Sequence, residues 1–469
     1  MSTVEVAKLL VNRDHRLFIT FLIIQPPSSG SGSAITTYIE SLAEKAMDRI
    51  SFIELPQDKI PPPRYPKSLP TAESKAHPLI FMIEFIKCHC KYVRNIVSDM
   101  ISQPSSGRVA GLVIDMLCFS MMDVANEFNI PTYVFVTSNA AFLGFYLYVQ
   151  ILSNDQNQDV VELSKSDTEI SVPGFVKPVP TKVFWTVVRT KEGLDFVLSS
   201  AQKLRQAKAI MVNTFLELET HAIKSLSDDT SIPPVYPVGP ILNLEGGAGK
   251  TFDNDISRWL DSQPPSSVVF LCFGSHGCFD EIQVKEIAHA LEQSGHRFLW
   301  SLRRPPSDQT LKVPGDYEDP GVVLPEGFLE RTAGRGKVIG WAPQVMVLAH
   351  RAVGGFVSHC GWNSLLESLW FGVPTATWPI YAEQQMNAFE MVVELGLAVE
   401  ITLDYRNDMD MFIVTAQEIE SGIRKVMEDN EVRTKVKERS EKSRAAVAEG
   451  GSSYASVGHL IKEFTGNIS

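Results

Sequence analysis

The sequence predicts an α/β fold of two domains, each built on a doubly wound, Rossmann-like parallel sheet. Short apolar runs of strand length alternate with helical segments along the chain, as they do in βαβ units. The chain has 469 residues, which is too long for one ordinary core. A stretch at 231–255 contains prolines and glycines and little apolar periodicity, so we interpret it as an interdomain linker.

The first half contains the elements expected of one such domain. Segment 2–14 is predicted to be helical, with Val4, Ala7 and Leu10 on one side. Predicted strands lie at 17–24, 50–55, 109–114, 132–136 and 209–213, and predicted helices at 79–101 and 120–128. Asp115 ends the third strand, where open α/β sheets bind ligands. Segment 154–180 is polar and contains prolines, which predicts a long surface loop.

The second half repeats the alternation of strands and helices. Predicted strands lie at 267–273, 297–302, 337–340, 354–359 and 374–378, and predicted helices at 281–293, 418–427 and 432–448. The tail from residue 450 is predicted to form a final helix. No GxGxxG follows any of these strands, which argues against a dinucleotide-dependent oxidoreductase.

Composition excludes several classes of function. The formal net charge of −12 makes a nucleic acid or an anionic membrane an unexpected partner. The apolar run 17–24 has the length of a strand rather than of a membrane span, and no secretory signal is recognised. The six cysteines suggest a reducing, cytoplasmic location. Cys88, His89 and Cys90 would face different sides of a helix, so we expect no metal site.

One stretch, from Trp341 to Gln384, predicts a nucleotide-sugar site. Trp341 follows a predicted strand, where its indole could stack on a nucleobase. A helix is predicted to start near Asn363 and Ser364, and free N–H groups at such a start suit a diphosphate. The remaining polar side chains then have natural partners: His359 and Ser364 for the phosphates, Glu367 for both ribose hydroxyls, and Glu383 and Gln384 for a sugar.

Each of these residues also has an ordinary structural interpretation. Trp341 could be a core or rim residue and His359 a structural histidine. The Asn-Ser pair could be a helix cap alone, and Gln384 could cap the start of the following helix. Asp115 could cap the loop that follows its strand.

Taken together, the stretch closely resembles the signature box of plant family 1 UDP-sugar glycosyltransferases, which it fills from Trp341 to Gln384 without a gap. Further motifs of that family occur in the family's order. They are VPGF (172–175), VNTFLELE (212–219), YPVGP (236–240), WLDSQP (259–264), VVFLCFGS (268–275) and EGGSSY (449–454).

The resemblance implies the two-domain GT-B fold, with the domains facing each other across a cleft. Residues 1–238 would bind the acceptor, residues 239–448 the UDP-sugar, and the helix in 449–469 would cross back to the first domain. The family has no metal or other cofactor, and UDP-glucose would be a co-substrate, since a closing Gln usually accompanies glucose. The chain is expected to be a monomer.

The resemblance also implies roles for individual residues. Trp341 would stack on uracil, the Ala342 backbone would pair with it, and Glu367 would hold the ribose. The diphosphate would be held by His359, Asn363 and Ser364. The sugar would be held by Trp362, Glu383, Gln384 and Thr137, and Gln344 and Ser275 complete the expected donor contacts.

The chain departs from the family at its start. In the family, a His removes the proton of the acceptor hydroxyl and an Asp, here Asp115, orients that His. Ser2 aligns with residues just after the His, so the first strand of the first domain and the catalytic His are expected to be missing. His276 is a weak candidate for a substitute base. The sequence therefore leaves two hypotheses: transfer of glucose to a hydroxyl of a small, largely apolar plant metabolite with inversion, or an inactive UDP-sugar-binding pseudoenzyme.

Overall fold

The computed structural model describes residues 2–25, 49–56, 78–103, 107–244, 254–306, 314–406 and 412–466. Its strands are β1 (Ile19–Ile23), β2 (Ile50–Glu54), β3 (Leu112–Asp115), β4 (Thr132–Val136), β5 (Glu169–Ile170), β6 (Val179–Pro180), β7 (Ala209–Val212), β8 (Val235–Pro237), β9 (Val268–Cys272), β10 (Arg297–Ser301), β11 (Arg303–Arg304), β12 (Gly315–Asp316), β13 (Gly336–Ile339), β14 (Val353–Ser358), β15 (Thr375–Thr377) and β16 (Ala398–Glu400).

The helices complete the alternation that the sequence predicts. They are α1 (Ser2–Arg13), α2 (Pro78–Lys87), α3 (Cys90–Ser102), α4 (Ser120–Glu127), α5 (Ala140–Gln150), α6 (Val160–Leu163), α7 (Lys191–Leu204), α8 (Thr220–Asp228), α9 (Asn254–Asp261), α10 (Glu281–Ser294), α11 (Phe328–Arg331), α12 (Gln344–Leu348), α13 (Trp362–Phe371), α14 (Gln384–Phe389), α15 (Ala416–Glu428), α16 (Asn430–Val447) and α17 (Ser452–Gly466). None of these described helices is long and apolar enough to cross a membrane.

Contacts divide the chain into two compact units. The first comprises Met1–Val161, Val187–Ile241 and Ala446–Ser469, and the second comprises Glu162–Thr186 and Leu242–Ala445. Of the predicted linker 231–255, residues 245–253 lie outside the described residues. The functional boundaries at 238 and 448 stay predictions.

The second unit contains a six-stranded sheet in the order β13-β10-β9-β14-β15-β16. All of its strand pairs are parallel. Numbered along the chain, this is the order 3-2-1-4-5-6 of a doubly wound sheet, whose direction of winding reverses between β9 and β14. Both strands are buried throughout because helices cover the two faces, which is why they read as continuous apolar runs. The predicted α/β fold class is confirmed.

The first unit contains a parallel four-stranded sheet, β3-β4-β7-β8, and a parallel pair, β1-β2. Strands β4 and β7 are fully buried, whereas β1 and β3 are largely half-exposed. Within the described ranges, β1 pairs with β2 alone and β3 with β4 alone. The expectation that a first strand and a preceding His are missing stays a prediction.

The C-terminal helix α17 belongs to the first unit. Its apolar face packs on the four-stranded sheet, with the Phe464 and Tyr133 ring centroids 4.3 Å apart. At its start, the Ser453 hydroxyl donates a hydrogen bond to the Gly239 carbonyl at 2.5 Å. The helix therefore contributes to the core of this unit rather than forming a loose tail.

Two sequence-based interpretations were wrong. The predicted helix 79–101 is broken into α2 and α3, because the His89 N–H bonds to the Ile86 carbonyl in a tight turn and the His89 ring is buried against Phe85. The predicted surface loop 154–180 contains buried residues and a short sheet, β5-β6. Phe175 is buried with its ring 5.8 Å from that of Phe389, so tertiary contacts order a segment that lacks apolar periodicity.

Candidate donor site

The predicted donor residues gather at the carboxyl edge of the second unit's sheet. Strands β9 and β14 end in register, with Cys272 opposite Ser358. The loops 273–277 and 359–361 therefore leave the sheet side by side, at the point where the strand order reverses. Ligands of doubly wound proteins bind in the crevice outside such a reversal.

Trp341 lies two residues beyond the end of β13, close to the predicted position. Its side chain is 43% exposed, whereas the neighbouring Ala342 is buried. The backbone before it is anchored, because the Ser301 hydroxyl donates to the Gly340 carbonyl at 2.7 Å. An indole face that is accessible yet held by a rigid strand end suits stacking on a planar base.

Helix α13 begins at Trp362, before the predicted cap pair Asn363 and Ser364. Its N-cap is Gly361 rather than Asn363 or Ser364, and no side chain caps it. The physical reason is Cys360, which adopts a left-handed conformation with φ of 63° and turns the chain into the helix directly after β14. Gly361 has no side chain with which to cap the helix, and the positive end of the helix dipole suits an anion. The predicted end of the helix at Gly372 is confirmed, with φ of 71°.

Gln344, Ser364 and Glu367 form one hydrogen-bonded group. The Gln344 amide Nε2 donates to Ser364 Oγ at 2.9 Å and to Glu367 Oε2 at 2.6 Å. Burial raises the pKa of Glu367 to about 7, and the hydrogen bond from Gln344 opposes that rise. The carboxyl group is therefore held in one place, with a second oxygen left for the vicinal hydroxyls of a ribose.

His359 directly follows β14 and is buried at 6% exposure. Burial, followed by the nearby His276, lowers the pKa of His359 to about 4, so the imidazole is neutral at pH 7. Its Nδ1 atom is buried and has no hydrogen-bond partner in the part of the chain that the structure describes. A neutral imidazole with an unused ring nitrogen can donate one hydrogen bond to a phosphate oxygen.

Two glycines that the sequence analysis did not single out shape the space around His359. A Cβ atom added at Gly274 or at Gly361 would lie 2.6 Å from His359 Nε2. Gly274 also has φ of 73°, which side-chain-bearing residues rarely adopt. The backbones of both loops therefore lie against the imidazole, and the signal that could have revealed them was their position immediately after the two strands at the reversal.

The other predicted phosphate and sugar residues differ in exposure. Ser275 and His276 are exposed on the loop after β9, and Asn363 is exposed in the first turn of α13. Trp362, in contrast, is only 2% exposed, so its indole belongs to the core and its backbone is the part near the helix start.

Gln384 has a clear structural task at the start of α14. It is 3% exposed, and its Oε1 atom accepts hydrogen bonds from the N–H groups of Ile380 at 2.9 Å and Tyr381 at 3.0 Å. Glu383 is the half-buried residue before the helix, and its side chain does not cap it. The Oε1 atom of Gln384 thus stabilises the turn before α14, as the alternative interpretation of a cap requires. Its amide Nε2 is the group that could contact a sugar.

Asp115 and Thr137 lie in the first unit, at the carboxyl ends of two adjacent parallel strands. Asp115 pairs in register with Phe135 of β4, and the exposed Thr137 follows β4 directly. The Asp115 Oδ1 atom accepts a hydrogen bond from the Leu117 N–H at 2.8 Å. Its carboxylate therefore stabilises the turn after β3, where the Cys118 thiol is also a hydrogen-bond partner of the Asp115 side chain.

Among the described residues, no three His, Cys, Asp or Glu side chains form a group that could hold a metal ion. The chemistry that these residues support is instead that of hydrogen-bond donors around an anion. A reversal-point crevice with an exposed indole, an uncapped helix start and a carboxyl group one turn further on defines a nucleotide-binding α/β protein of the doubly wound class.

Comparisons with known proteins narrow this class to a family. The family model described as UDP-glucuronosyl and UDP-glucosyl transferase matches residues 202–442. A strawberry (Fragaria ananassa) protein named UDP-glucose flavonoid 3-O-glucosyltransferase 6 is 52% identical over 475 aligned residues, covering 99% of this chain and 95% of the relative. The chain therefore belongs to the UDP-dependent glycosyltransferase family, and it is an enzyme of the plant family 1 type that the box predicted.

Solved structures agree with the fold. A glycosyltransferase from Siraitia grosvenorii in complex with UDP superposes with a TM-score of 0.85 at 45% identity, covering 99% of this chain and 96% of that one. A Medicago truncatula glycosyltransferase complexed with UDP-glucose gives a TM-score of 0.84 at 42% identity, covering 99% and 95%. The fold prediction of two Rossmann-like domains is thereby confirmed, and the alternative of an inactive pseudoenzyme gains no support.

Proposed function

We propose that this transferase moves glucose from UDP-glucose to a hydroxyl of a small, largely apolar plant metabolite of the phenolic, flavonoid or terpenoid type, with inversion at the anomeric carbon. The observation that carries the proposal is the Gln344–Ser364–Glu367 group beside the reversal point of β9 and β14. The names of relatives support the sugar and the acceptor class, since one is a flavonoid glucosyltransferase and another an anthocyanidin 3-O-glucosyltransferase from Manihot esculenta.

The second unit supplies most of the residues proposed to bind the donor. Trp341 stacks on uracil, the Ala342 backbone pairs with the base, and Glu367, positioned by Gln344, accepts the ribose hydroxyls. The same proposal assigns the remaining predicted donor residues in two groups. The diphosphate is bound by His359, Asn363, Ser364 and Ser275, and the hexose by Glu383, Gln384, Thr137 and the backbone of Trp362.

The transfer step is a displacement at one carbon. The acceptor oxygen loses its proton to a general base, attacks the anomeric carbon from the face opposite UDP, and the bond from that carbon to the β-phosphate oxygen breaks. UDP leaves with an added negative charge, which the neutral His359 and the uncapped start of α13 stabilise by hydrogen bonds. Asp115 acts as a positioning residue for this base, which is a His in the family and is not assigned to any described residue of this chain.

The test is transfer itself, measured with UDP-glucose and a phenolic acceptor. We expect release of UDP and formation of a glycoside in equal amounts, with the anomeric proton of the product showing the β configuration by NMR. The variant Glu367→Ala should lose donor binding while remaining folded. Hydrolysis of UDP-glucose without glycoside, or a product with retained configuration, would overturn the proposal.

Three further assignments belong to the same proposal. The chain acts as a monomer, which light scattering at working concentration measures directly. It acts in the cytoplasm, which a fluorescent fusion in plant cells would reveal. Residues 1–238 bind most of the acceptor and residues 239–448 most of the donor. Most substitutions that weaken acceptor binding should therefore lie in the first range, and most that weaken donor binding in the second.

A further inference from the structure

Helix α14 carries three buried amide side chains that reach three different backbone segments. Gln384 bonds to the turn at Ile380 and Tyr381, as described above. Gln385 Nε2 donates to the Tyr405 carbonyl at 2.8 Å, and Asn387 Nδ2 donates to the Cys360 carbonyl at 3.0 Å. Gln385 and Asn387 are both fully buried. The helix thereby connects the turn next to Gln384 with the loop after β14.

Cys360 is the residue through which this connection acts. A left-handed conformation is unfavourable for a residue with a side chain and persists only where the surroundings hold it. Three bonds do so here. The Cys360 N–H donates to Ser358 Oγ at 3.1 Å, its thiol contacts the Ser358 carbonyl at 3.4 Å, and its carbonyl accepts from Asn387. Of these, the bond from Asn387 is the one that comes from outside the loop.

The direction of the Cys360 carbonyl decides the direction of the next N–H. A trans peptide group is planar, and its C=O and N–H bonds point to opposite sides. Because Asn387 draws the Cys360 carbonyl towards α14, the Gly361 N–H must point away from α14. Gly361 is the residue whose backbone lies against His359 Nε2, at the uncapped start of α13.

We propose that Asn387 is a positioning residue for the donor diphosphate. It holds the Cys360–Gly361 peptide so that the Gly361 N–H, together with His359, faces the phosphate oxygens. The proposal rests on the proposed function, since it requires that a UDP-sugar binds at this edge. It adds a residue that contacts no part of the donor and yet sets the geometry of the group that does.

The chain supplies a matched control for this role. Gln385 is on the same helix, is equally buried, and also donates from a side-chain amide to a backbone carbonyl, but its acceptor, Tyr405, lies outside the donor loops. The variants Asn387→Ala and Gln385→Ala therefore remove the same kind of bond. They differ in whether that bond orients a backbone N–H that donates to the phosphate. Asn387→Asp keeps the side-chain volume and serves if Asn387→Ala does not fold.

The experiment measures UDP and uridine binding by calorimetry, together with the melting temperature, for the full chain and its variants. In Asn387→Ala, we expect the affinity for UDP to fall roughly tenfold, which corresponds to one hydrogen bond to a charged group. The affinity for uridine should stay within about twofold of that of the unchanged chain. Gln385→Ala should lower the melting temperature comparably and leave the ratio of the two affinities unchanged.

The outcomes separate two kinds of failure. If Asn387→Ala, like Gln385→Ala, changes the affinities for UDP and for uridine by the same factor, Asn387 is merely structural and the inference is overturned. If Asn387→Asp folds and binds UDP as tightly as the unchanged chain does, the inference is overturned as well. If the unchanged chain binds neither UDP nor uridine, the proposed function fails before the role of Asn387 is reached.

Discussion

The carboxyl edges of the two sheets are built differently. In the second unit, β9 and β14 are buried along their whole length, and the side chain of Asn387, distant in the sequence, holds the loop after β14. In the first unit, β3 is mostly half-exposed, and Asp115 bonds to a backbone N–H only two residues further on. The donor edge is thus fixed by tertiary contacts, whereas the candidate catalytic carboxylate of the other edge is fixed by a local turn.

Because the two edges are built differently, substitutions at the donor edge should weaken binding and substitution of Asp115 should slow the reaction. A side chain held by buried partners is preorganised, so its loss costs ligand affinity in proportion to the contact removed. A carboxylate that orients a base contributes mainly in the transition state, so its loss costs turnover while leaving ground-state affinity in place. Substitutions at the two edges test this division.

The largest effect is expected for Asp115→Ala. If Asp115 orients the general base, the variant should lose about 10²–10⁴ in kcat for glucosyl transfer, the range typical of general acid–base catalysis. UDP affinity should be unchanged, because the residues proposed to bind the uracil, ribose and diphosphate belong to the other unit. Steady-state kinetics with saturating UDP-glucose and calorimetry with UDP measure the two quantities.

The control for this prediction is Asp115→Asn. Its amide oxygen can still accept the Leu117 N–H, so the turn after β3 is kept while the charge is lost. An orienting role requires that Asp115→Asn be nearly as slow as Asp115→Ala. If Asp115→Asn is fully active, Asp115 is only a turn cap.

The second effect concerns the indole of Trp341. Trp341→Ala should remove stacking worth roughly 1–3 kcal/mol and so weaken UDP about tenfold to a hundredfold. Because 43% of this side chain is exposed, its removal should alter the melting temperature little. Calorimetry with UDP is the measurement. The control variant is Trp370→Ala, which removes a tryptophan at the opposite end of α13. Equal UDP affinity in both variants would exclude stacking.

Much of the donor edge could be predicted from the sequence because its signals are local. Strands read as apolar runs, Gly372 ends α13 as expected, and Trp341 lies just after β13. The exact start of α13 could not be predicted, because it depends on the left-handed Cys360, and that conformation depends on Asn387, distant in sequence. A cap pair such as Asn363–Ser364 is a local preference that this tertiary contact overrides.

Segments without periodicity were predicted less well for a related reason. Segment 154–180 reads as polar loop, yet the carboxylate of Glu394 binds the N–H groups of Val176 and Lys177 at 2.9 and 3.1 Å and helps to order it. The break at His89, in contrast, involves only the nearby Phe85 and Ile86 and has no Pro or Gly to mark it in the sequence. Only in segment 154–180 does the ordering partner lie far away in the sequence.

A third, smaller effect is a pH dependence of nucleoside binding. Burial raises the pKa of Glu367 from its usual 4.5 to about 7, so the folded protein without ligand holds this proton more tightly than the unfolded chain does. The carboxyl group therefore destabilises the fold increasingly as the pH rises from about 4.5 to 7, and fully above 7. Ribose hydroxyls donate to the ionised form, so uridine should bind several-fold more tightly at pH 8 than at pH 6.

Uridine is the right probe because it lacks the phosphate that titrates in this range. Glu367→Gln should bind uridine with no pH dependence between 6 and 8, and His359, with a pKa of about 4, should not contribute there. Calorimetry at three pH values in that range is sufficient. A pH-independent affinity in the unchanged chain would mean that Glu367 does not hold the ribose.

The smallest effect is expected for Gln384→Glu, and it separates the two tasks of that side chain. A carboxylate can still accept the N–H groups of Ile380 and Tyr381, so the turn before α14 should persist, while burial of the new charge should lower the melting temperature. What the substitution removes is the amide Nε2 donor, the part of Gln384 that we propose contacts the hexose. Affinity for bare UDP should therefore stay the same, while the preference for UDP-glucose over UDP-galactose should fall by about three- to tenfold, the worth of one neutral hydrogen bond. Competition between the two donors in a single transfer assay measures that preference directly. An unchanged preference in a folded variant would mean that Gln384 only supports the turn, and that sugar choice depends on Glu383 and on the backbone around it.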